Sequence, residues 1–174
     1  MSIRSQADYH IASPDGIGKC LDLGLSSWRG WEQCQRTVFI NAMFLHNRSS
    51  GYLWEWERFQ AEYQVFDAFY AVARARFRLP KKVTHPERIE IACKHFGLYW
   101  NPDLVKDIVN YRNELIHEAL WGGRMPGTAR DEKTFYLPIW LHKLNQRFGL
   151  AILGFTNDYI RSSWTRLSTI SFTI

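Results

Sequence analysis

Segment 52–78 carries a wide face of aromatic side chains, and this face constrains the fold more than any other part of the sequence. Its aromatic and small apolar residues recur at spacings of four and three, which is the period of an α-helix that buries one side. We therefore predict a long helix over 52–78 with its aromatic face in the core. The residues of this face are Phe59, Tyr63, Phe66, Tyr70, Ala73 and Phe77.

Start and stop signals predict further helices on both sides of this segment. Thr84 and Glu87 have the spacing of a capping box, and Gly97 supplies a stop. Asn101 followed by proline is a second start signal, closed by the glycine pair 122–123. Apolar patterning predicts a helix before segment 52–78 and another that begins near Pro138. The predicted helices cover residues 30–47, 52–78, 86–96, 102–121 and 137–161.

These elements predict an all-α fold, a helical bundle of four to five helices. The chain has 174 residues, which is the usual length of one domain. We expect an irregular N-terminal lead-in over 1–28, the helical domain over 29–162, and a C-terminal tail over 163–174. The last six residues alternate in polarity, so the tail is either a short strand or ordered coil.

Composition excludes several classes of protein. The chain is 46% hydrophobic and 16% aromatic, too apolar for a disordered protein, and no apolar run approaches the length that spans a bilayer. The N-terminus lacks a compact apolar segment of the secretory type, and the three cysteines form no C-x-x-C pair. We therefore expect a cytoplasmic protein without a membrane partner and without disulfides.

A net charge of +5 favours an anionic partner such as nucleic acid. Basic residues cluster where segment 52–78 ends, and the loop that follows residue 121 adds another. The cluster is either a solvated edge or a surface that contacts phosphates. The candidate RNA-binding residues are Arg74, Arg76, Arg78, Lys81, Lys82 and Arg124.

Predicted helix 102–121 has more apolar surface than a single contact with its own domain would cover. One stripe should pack into the domain, and a second arc should meet a partner. Arg112 projects between the two, while Asn113 and His117 lie on the polar side. The stripe is Leu104, Ile108, Tyr111, Leu115 and Ala119, and the second arc is Val105, Val109, Ile116 and Leu120.

The string YRNELIH over 111–117 resembles the signature of the HEPN-domain family, in which four to six residues separate an arginine from a histidine and an asparagine or other polar residue often follows the arginine directly. Three other Arg–His pairs have a compatible spacing but lack the Arg-Asn dipeptide and its long apolar helix. The resemblance covers approximately residues 30–160, so segment 29–162 would be a HEPN-like domain.

The resemblance implies a homodimer with a shared basic cleft, used in many members for metal-independent RNA cleavage of the toxin–antitoxin or phage-defence type. His117 would then be the acid and base, Arg112 would bind phosphate, and Asn113 would orient the histidine or the substrate. RNA and an antitoxin or regulatory protein would be its partners. Ala119 stands where a modified subgroup has tyrosine, which puts regulation by nucleotide transfer in doubt.

Two other functions stay open beside the ribonuclease. One is a non-catalytic HEPN-like dimer that binds RNA, a nucleotide or a protein. The other is a helical interaction protein unrelated to RNA.

We expect no metal and no cofactor. The candidate histidines are dispersed along the sequence, and neither H-E-x-x-H nor G-x-S-x-G occurs. Asp67, among the aromatic residues of segment 52–78, is either solvated or held by a buried partner. The dispersed histidines are His46, His85, His95 and His142.

Overall fold

The computed structural model describes residues 9–11, 14–128, 131–165 and 170–172. This part of the chain is an all-α bundle with one pair of short strands. β1 (Tyr9–Ile11) and β2 (Ile170–Phe172) pair in parallel. The helices are α1 (Pro14–Arg29), α2 (Gln33–Ser49), α3 (Glu55–Phe77), α4 (His85–Phe96), α5 (Pro102–Asn113), α6 (Glu132–Ile152) and α7 (Asp158–Arg161), with a π-helical turn over Glu114–Glu118.

Helix α3 is the centre of the bundle, as its aromatic pattern predicts. It packs mainly against α2 and α6. Phe69 is fully buried, with its ring centroid 5.1 Å from that of Phe39 on α2 and 6.0 Å from that of Phe148 on α6. Phe59, Tyr63, Phe66, Tyr70 and Ala73 are buried, and Phe77 is partly buried.

The start and stop of α4 agree with the sequence signals. The Glu87 carboxylate accepts hydrogen bonds from the Thr84 backbone N–H at 2.6 Å and from its hydroxyl at 2.7 Å. Gly97 ends the helix with a φ of 65°, a left-handed conformation that favours glycine. Both signals depend on residues close together in the sequence, so the sequence is sufficient to predict where α4 begins and ends.

The prediction of an irregular lead-in over 1–28 is wrong for its second half, because α1 occupies Pro14–Arg29. Ile17, Leu21, Leu25 and Trp28 recur at helical spacing, a signal that the prediction missed, although Ile17, Leu21 and Leu25 are exposed. Trp28 is the exception and packs on the core with its ring 5.1 Å from that of Trp31. With the short α7, the described ranges contain seven α-helices rather than four to five.

The predicted helix 137–161 consists of two helices, α6 and α7, and α6 begins five residues earlier than predicted, at Glu132. Asp131 caps α6 by accepting a hydrogen bond from the Thr134 N–H at 2.8 Å, so the helix begins before Pro138 and tolerates this proline in its interior. The chain then turns at Gly154, whose φ is 99°, and Asn157 caps α7. The start was missed because the proline was read as a first-turn residue.

The expected tail over 163–174 also contributes to the core. Trp164 is fully buried, and its indole N–H donates a hydrogen bond to the Tyr99 carbonyl at 2.9 Å. β2 is the short strand that the alternating pattern permits, and it pairs with β1 in the segment predicted to be irregular.

Candidate active site

Helix α5 changes its geometry directly after Asn113. Asn101 begins the helix as predicted, with its side chain accepting a hydrogen bond from the Leu104 N–H at 3.1 Å. From Glu114 to Glu118 the chain forms the π turn, and Ala119 ends it in the left-handed conformation with a φ of 55°. The prediction of one continuous helix over 102–121 is therefore wrong beyond residue 113.

The π turn brings Arg112 and His117 into contact. Residues five apart on a regular α-helix are separated by about 140° around its axis, so their side chains diverge. Here the Arg112 guanidinium donates hydrogen bonds to Asn113 Oδ1 at 3.0 Å and to His117 Nε2 at 3.3 Å. All three predicted catalytic residues therefore belong to one cluster, which we call the Arg112 cluster.

The Arg112 cluster lies at the surface above a small cavity. Asn113 and His117 are exposed, whereas Arg112 is half-buried. The guanidinium carbon of Arg112 lies 5.9 Å from the centroid of the Tyr63 ring, a favourable position for a cation. The cavity has a volume of about 110 Å³, and Tyr63, Asp67 and Arg112 are among its lining residues. These contacts explain how a guanidinium is tolerated beside apolar residues.

The predicted second apolar arc is mostly covered by the chain's own domain. Val105 is buried, and Val109 and Leu120 are partly buried. Ile116, at 48% exposure, is the member that faces solvent. The predicted surplus surface is therefore smaller than the helical wheel indicates, because the turn after α5 folds back onto the domain.

Helices α3 and α4 add groups that sequence reasoning did not assign to this site. The Tyr63 hydroxyl is 2.9 Å from His85 Nδ1, and Arg88 pairs with Asp67 at 2.9 Å. Burial and then the charge of Arg112 lower the pKa of His85. Asp67 is thus both paired and partly solvated. The capping box of α4 places His85 and Arg88 in its first turn, but it does not reveal that this turn lies beside α3.

A tight turn after the π turn anchors the Arg112 cluster to the core. The Glu114 carboxylate accepts a hydrogen bond from the Gly123 N–H at 3.0 Å. Trp121 is buried, with its ring 4.9 Å from that of Phe59. Gly122 has a φ of 61°, and a Cβ atom there would lie 2.8 Å from Thr134 Cγ2. Only glycine fits this position without displacement.

Most of the predicted RNA-binding residues lie away from the Arg112 cluster. The basic cluster lies at the end of α3. A helical rise of about 1.5 Å per residue places it about 16 Å or more along the helix axis from Tyr63. Arg76 packs its guanidinium 4.6 Å from the Trp31 ring centroid, and burial lowers its pKa. Arg124 belongs to the turn after the π turn. Arg74 is half-buried, and Arg78, Lys81 and Lys82 are exposed; RNA contact by these residues stays a prediction.

A second polar cluster lies inside the protein between α2, α3 and α6, and we call it the Glu62 cluster. The Glu62 carboxylate accepts hydrogen bonds from His142 Nδ1 at 2.7 Å and from His46 Nδ1 at 2.9 Å. Asn145 Nδ2 donates at 2.7 Å, and the Ser49 hydroxyl donates as well. The two imidazole rings stack with centroids 4.0 Å apart. None of the five residues is more than 6% exposed.

The charge state of the Glu62 cluster follows from its hydrogen bonds. Burial alone would raise the pKa of the Glu62 carboxyl, but hydrogen bonds from His142 and His46 outweigh it and lower the pKa to about 2. Burial lowers the pKa of His142 despite its contact with Glu62. At neutral pH the cluster therefore holds a carboxylate and a neutral His142.

His46 and His142 are distant in the sequence but stack in the folded chain, so the interpretation of them as dispersed is wrong. A usable signal was present in α3. Glu62 lies three residues after Phe59 and four before Phe66, so it shares the predicted aromatic face and had to be buried. Its partners come from helices whose pairing the sequence does not reveal.

No family model, curated protein or solved structure matches the chain. No helix within the described ranges is long and apolar enough to cross a membrane. The function of the protein is therefore inferred from the chemistry of its two polar clusters.

Proposed function

We propose that the chain is a HEPN-like, metal-independent endoribonuclease with Arg112, Asn113 and His117 as its catalytic residues. The observation that carries the proposal is the hydrogen bond from Arg112 to His117 Nε2 across the π turn. Single π turns within helices occur frequently at functional sites. Here the turn gathers a guanidinium, an amide and an imidazole at the surface, where a polymer can reach them.

These groups suit cleavage of RNA by its own 2′-hydroxyl. His117 Nε2 removes the proton of the 2′-hydroxyl, and the resulting alkoxide attacks the adjacent phosphorus. The bond from phosphorus to the 5′-oxygen breaks, and this oxygen takes up a proton from solvent. The products are a 2′,3′-cyclic phosphate and a 5′-hydroxyl.

Arg112 and Asn113 hold the substrate during this reaction. The guanidinium of Arg112 exchanges its bond to His117 for bonds to phosphoryl oxygens, where negative charge grows in the transition state. This exchange also frees the lone pair on His117 Nε2. The Asn113 amide accepts from Arg112 and so fixes the direction of the guanidinium.

The first prediction concerns His117→Ala. We expect this variant to cleave labelled RNA at least about 100-fold more slowly in EDTA, because a general base is lost. A 2′,3′-cyclic phosphate and a 5′-hydroxyl on the fragments would identify cleavage through the 2′-hydroxyl. His95→Ala is the matched control, since His95 is also an exposed histidine and lies on α4. Equal cleavage by the wild type and His117→Ala would refute the assignment.

The second candidate function is a non-catalytic RNA-binding module. It is favoured by the Arg112–His117 bond itself, because this bond occupies the imidazole lone pair in the absence of substrate. A module of this kind would bind RNA with an affinity that falls steeply with salt, and no fragments would appear. The cleavage assay distinguishes the two functions.

The proposed active form is a homodimer that joins two Arg112 clusters across one cleft. Ile116, exposed beside Arg112, supports this arrangement as an apolar contact between copies. We expect Ile116→Glu to shift the protein towards monomer in analytical ultracentrifugation and to reduce cleavage with it. Exposed Ile40→Glu on α2 is the control. An unchanged sedimentation coefficient for Ile116→Glu would show that Ile116 does not lie in a dimer interface.

A further inference from the structure

The Glu62 cluster places a buried carboxylate beside two imidazole rings. In the described part of the chain, the groups in ion-pair contact with Glu62 are the imidazoles of His46 and His142. Arg58 acts on Glu62 only through space, and burial lowers the pKa of this arginine. A buried carboxylate is costly unless a cation accompanies it. The site therefore favours a further positive charge.

The donor atoms of the cluster are those that bind a transition-metal ion. One ligand atom each from His46, Glu62 and His142 lies within 4.8 Å of the other two. Two imidazoles and one carboxylate are a ligand set used for Zn²⁺ and for other divalent first-row ions. Metal–ligand distances of about 2.0–2.2 Å require these atoms to lie close together around one point. Small rotations of the three side chains would produce that arrangement.

Neighbouring groups complete the site. Asn145 Oδ1 is buried and has no hydrogen-bond partner, although the amide nitrogen of the same side chain contacts Glu62. It offers an oxygen for a fourth position. Gln146 Nε2 lies 3.2 Å from His142 Nε2, and the Tyr159 hydroxyl donates to Gln146 Oε1 at 3.3 Å. A protonated His142 Nε2 needs an acceptor, so we expect the Gln146 amide to turn its oxygen towards this nitrogen when the metal binds, as acceptor partners of metal-bound imidazoles do.

An opening from the surface reaches His46 of the cluster. A cavity of about 220 Å³ lies between α2 and α6, and His46, Gln146 and Met43 are among the residues that line it. An ion has a route to the cluster along this cavity without unfolding of the bundle.

We propose that His46, Glu62 and His142 bind one divalent transition-metal ion of the Zn²⁺ class, with Asn145 or water as a fourth ligand. The ion ties α2, α3 and α6 together and neutralises Glu62. On binding, each imidazole gives the Nδ1 lone pair to the metal and carries a proton on Nε2. The role is structural and does not rest on the proposed ribonuclease.

Titration of the wild-type protein tests the site. Protein stripped with a chelator and then dialysed is titrated with Co²⁺, and visible absorption should saturate at one ion per chain. Zn²⁺ should abolish this absorption and raise the melting temperature by about 5–10 °C at 100 times its dissociation constant. If Co²⁺ gives no saturable absorption and Zn²⁺ leaves the melting temperature unchanged, the proposal is overturned.

Variants assign the ligands. His46→Asn and His142→Asn should each weaken Co²⁺ binding at least about 100-fold, whereas His95→Asn, at an exposed position on α4, should bind as the wild type does. Equal affinity in all three variants would overturn the assignment to this cluster. If a ligand variant fails to fold, the wild-type titration decides alone.

Discussion

The two polar clusters of the protein use histidine in opposite ways. In the Arg112 cluster, His117 is exposed and accepts a hydrogen bond from the half-buried Arg112 guanidinium. In the Glu62 cluster, His46 and His142 are buried, stacked and bonded to the same carboxylate. Glu62 and Tyr63 are neighbours on α3, yet Glu62 faces α2 and α6 while Tyr63 contacts His85 of α4.

The difference shows that the two sides of α3 serve different roles, because the groups on one side are buried and those on the other are partly exposed. A group at the surface keeps free bonding capacity and can exchange its partner for a substrate. A group in the core must obtain most of its hydrogen bonds from the protein, because burial removes it from bulk water. This difference fits the proposed RNA chemistry at the Arg112 cluster and a stabilising role for the Glu62 cluster, and the predictions below test this division.

The largest expected effect on stability is that of Glu62→Ala. The substitution removes the acceptor of four buried donors, and we expect the free energy of unfolding to fall by about 3–5 kcal/mol. Urea unfolding in the presence of a chelator measures it. Glu90→Ala is the control, because Glu90 forms an exposed ion pair with Lys94 on α4 and should contribute less than about 0.5 kcal/mol. Similar losses in both variants would contradict the division.

The sequence predicts features that depend on neighbouring residues, but it does not predict features formed by residues from different helices. The aromatic face of α3 and the capping box of α4 depend on residues within one or two turns, and both are confirmed. The Arg112 site was found from a local string, although its geometry was not, since a helical wheel assumes constant pitch and cannot show the π turn at Glu114–Glu118. The Glu62 cluster joins residues from three helices, and no local pattern encodes their pairing.

Acid should destabilise the protein through the Glu62 cluster. The pKa of Glu62 falls from 4.5 to about 2 on folding, so its contribution to stability is complete above pH 4.5 and is lost as the pH falls towards 2. This loss amounts to about 3 kcal/mol by linkage. Unfolding of chelator-treated protein between pH 6 and pH 2 measures it. Glu62→Gln should have a flatter profile, and a profile as steep as that of the wild type would exclude Glu62 as the cause.

The smallest expected effect comes from the ion pair near the Arg112 cluster. Asp67 and Arg88 are 36% and 29% exposed at their side chains, so water screens their attraction. We expect Asp67→Asn to lower the free energy of unfolding by less than about 1 kcal/mol in urea. A loss as large as that of Glu62→Ala would show that the two sides of α3 do not differ in the way described.

In the proposed mechanism, the Arg112 cluster cleaves RNA through the 2′-hydroxyl. A decisive assay compares one RNA with the same RNA carrying 2′-deoxyribose at the cut nucleotide, both incubated with the wild-type protein in EDTA. We expect a 2′,3′-cyclic phosphate and a 5′-hydroxyl from the first RNA and no cut at that nucleotide in the second. Cleavage at the deoxyribose, or RNA left intact by folded protein, would contradict it.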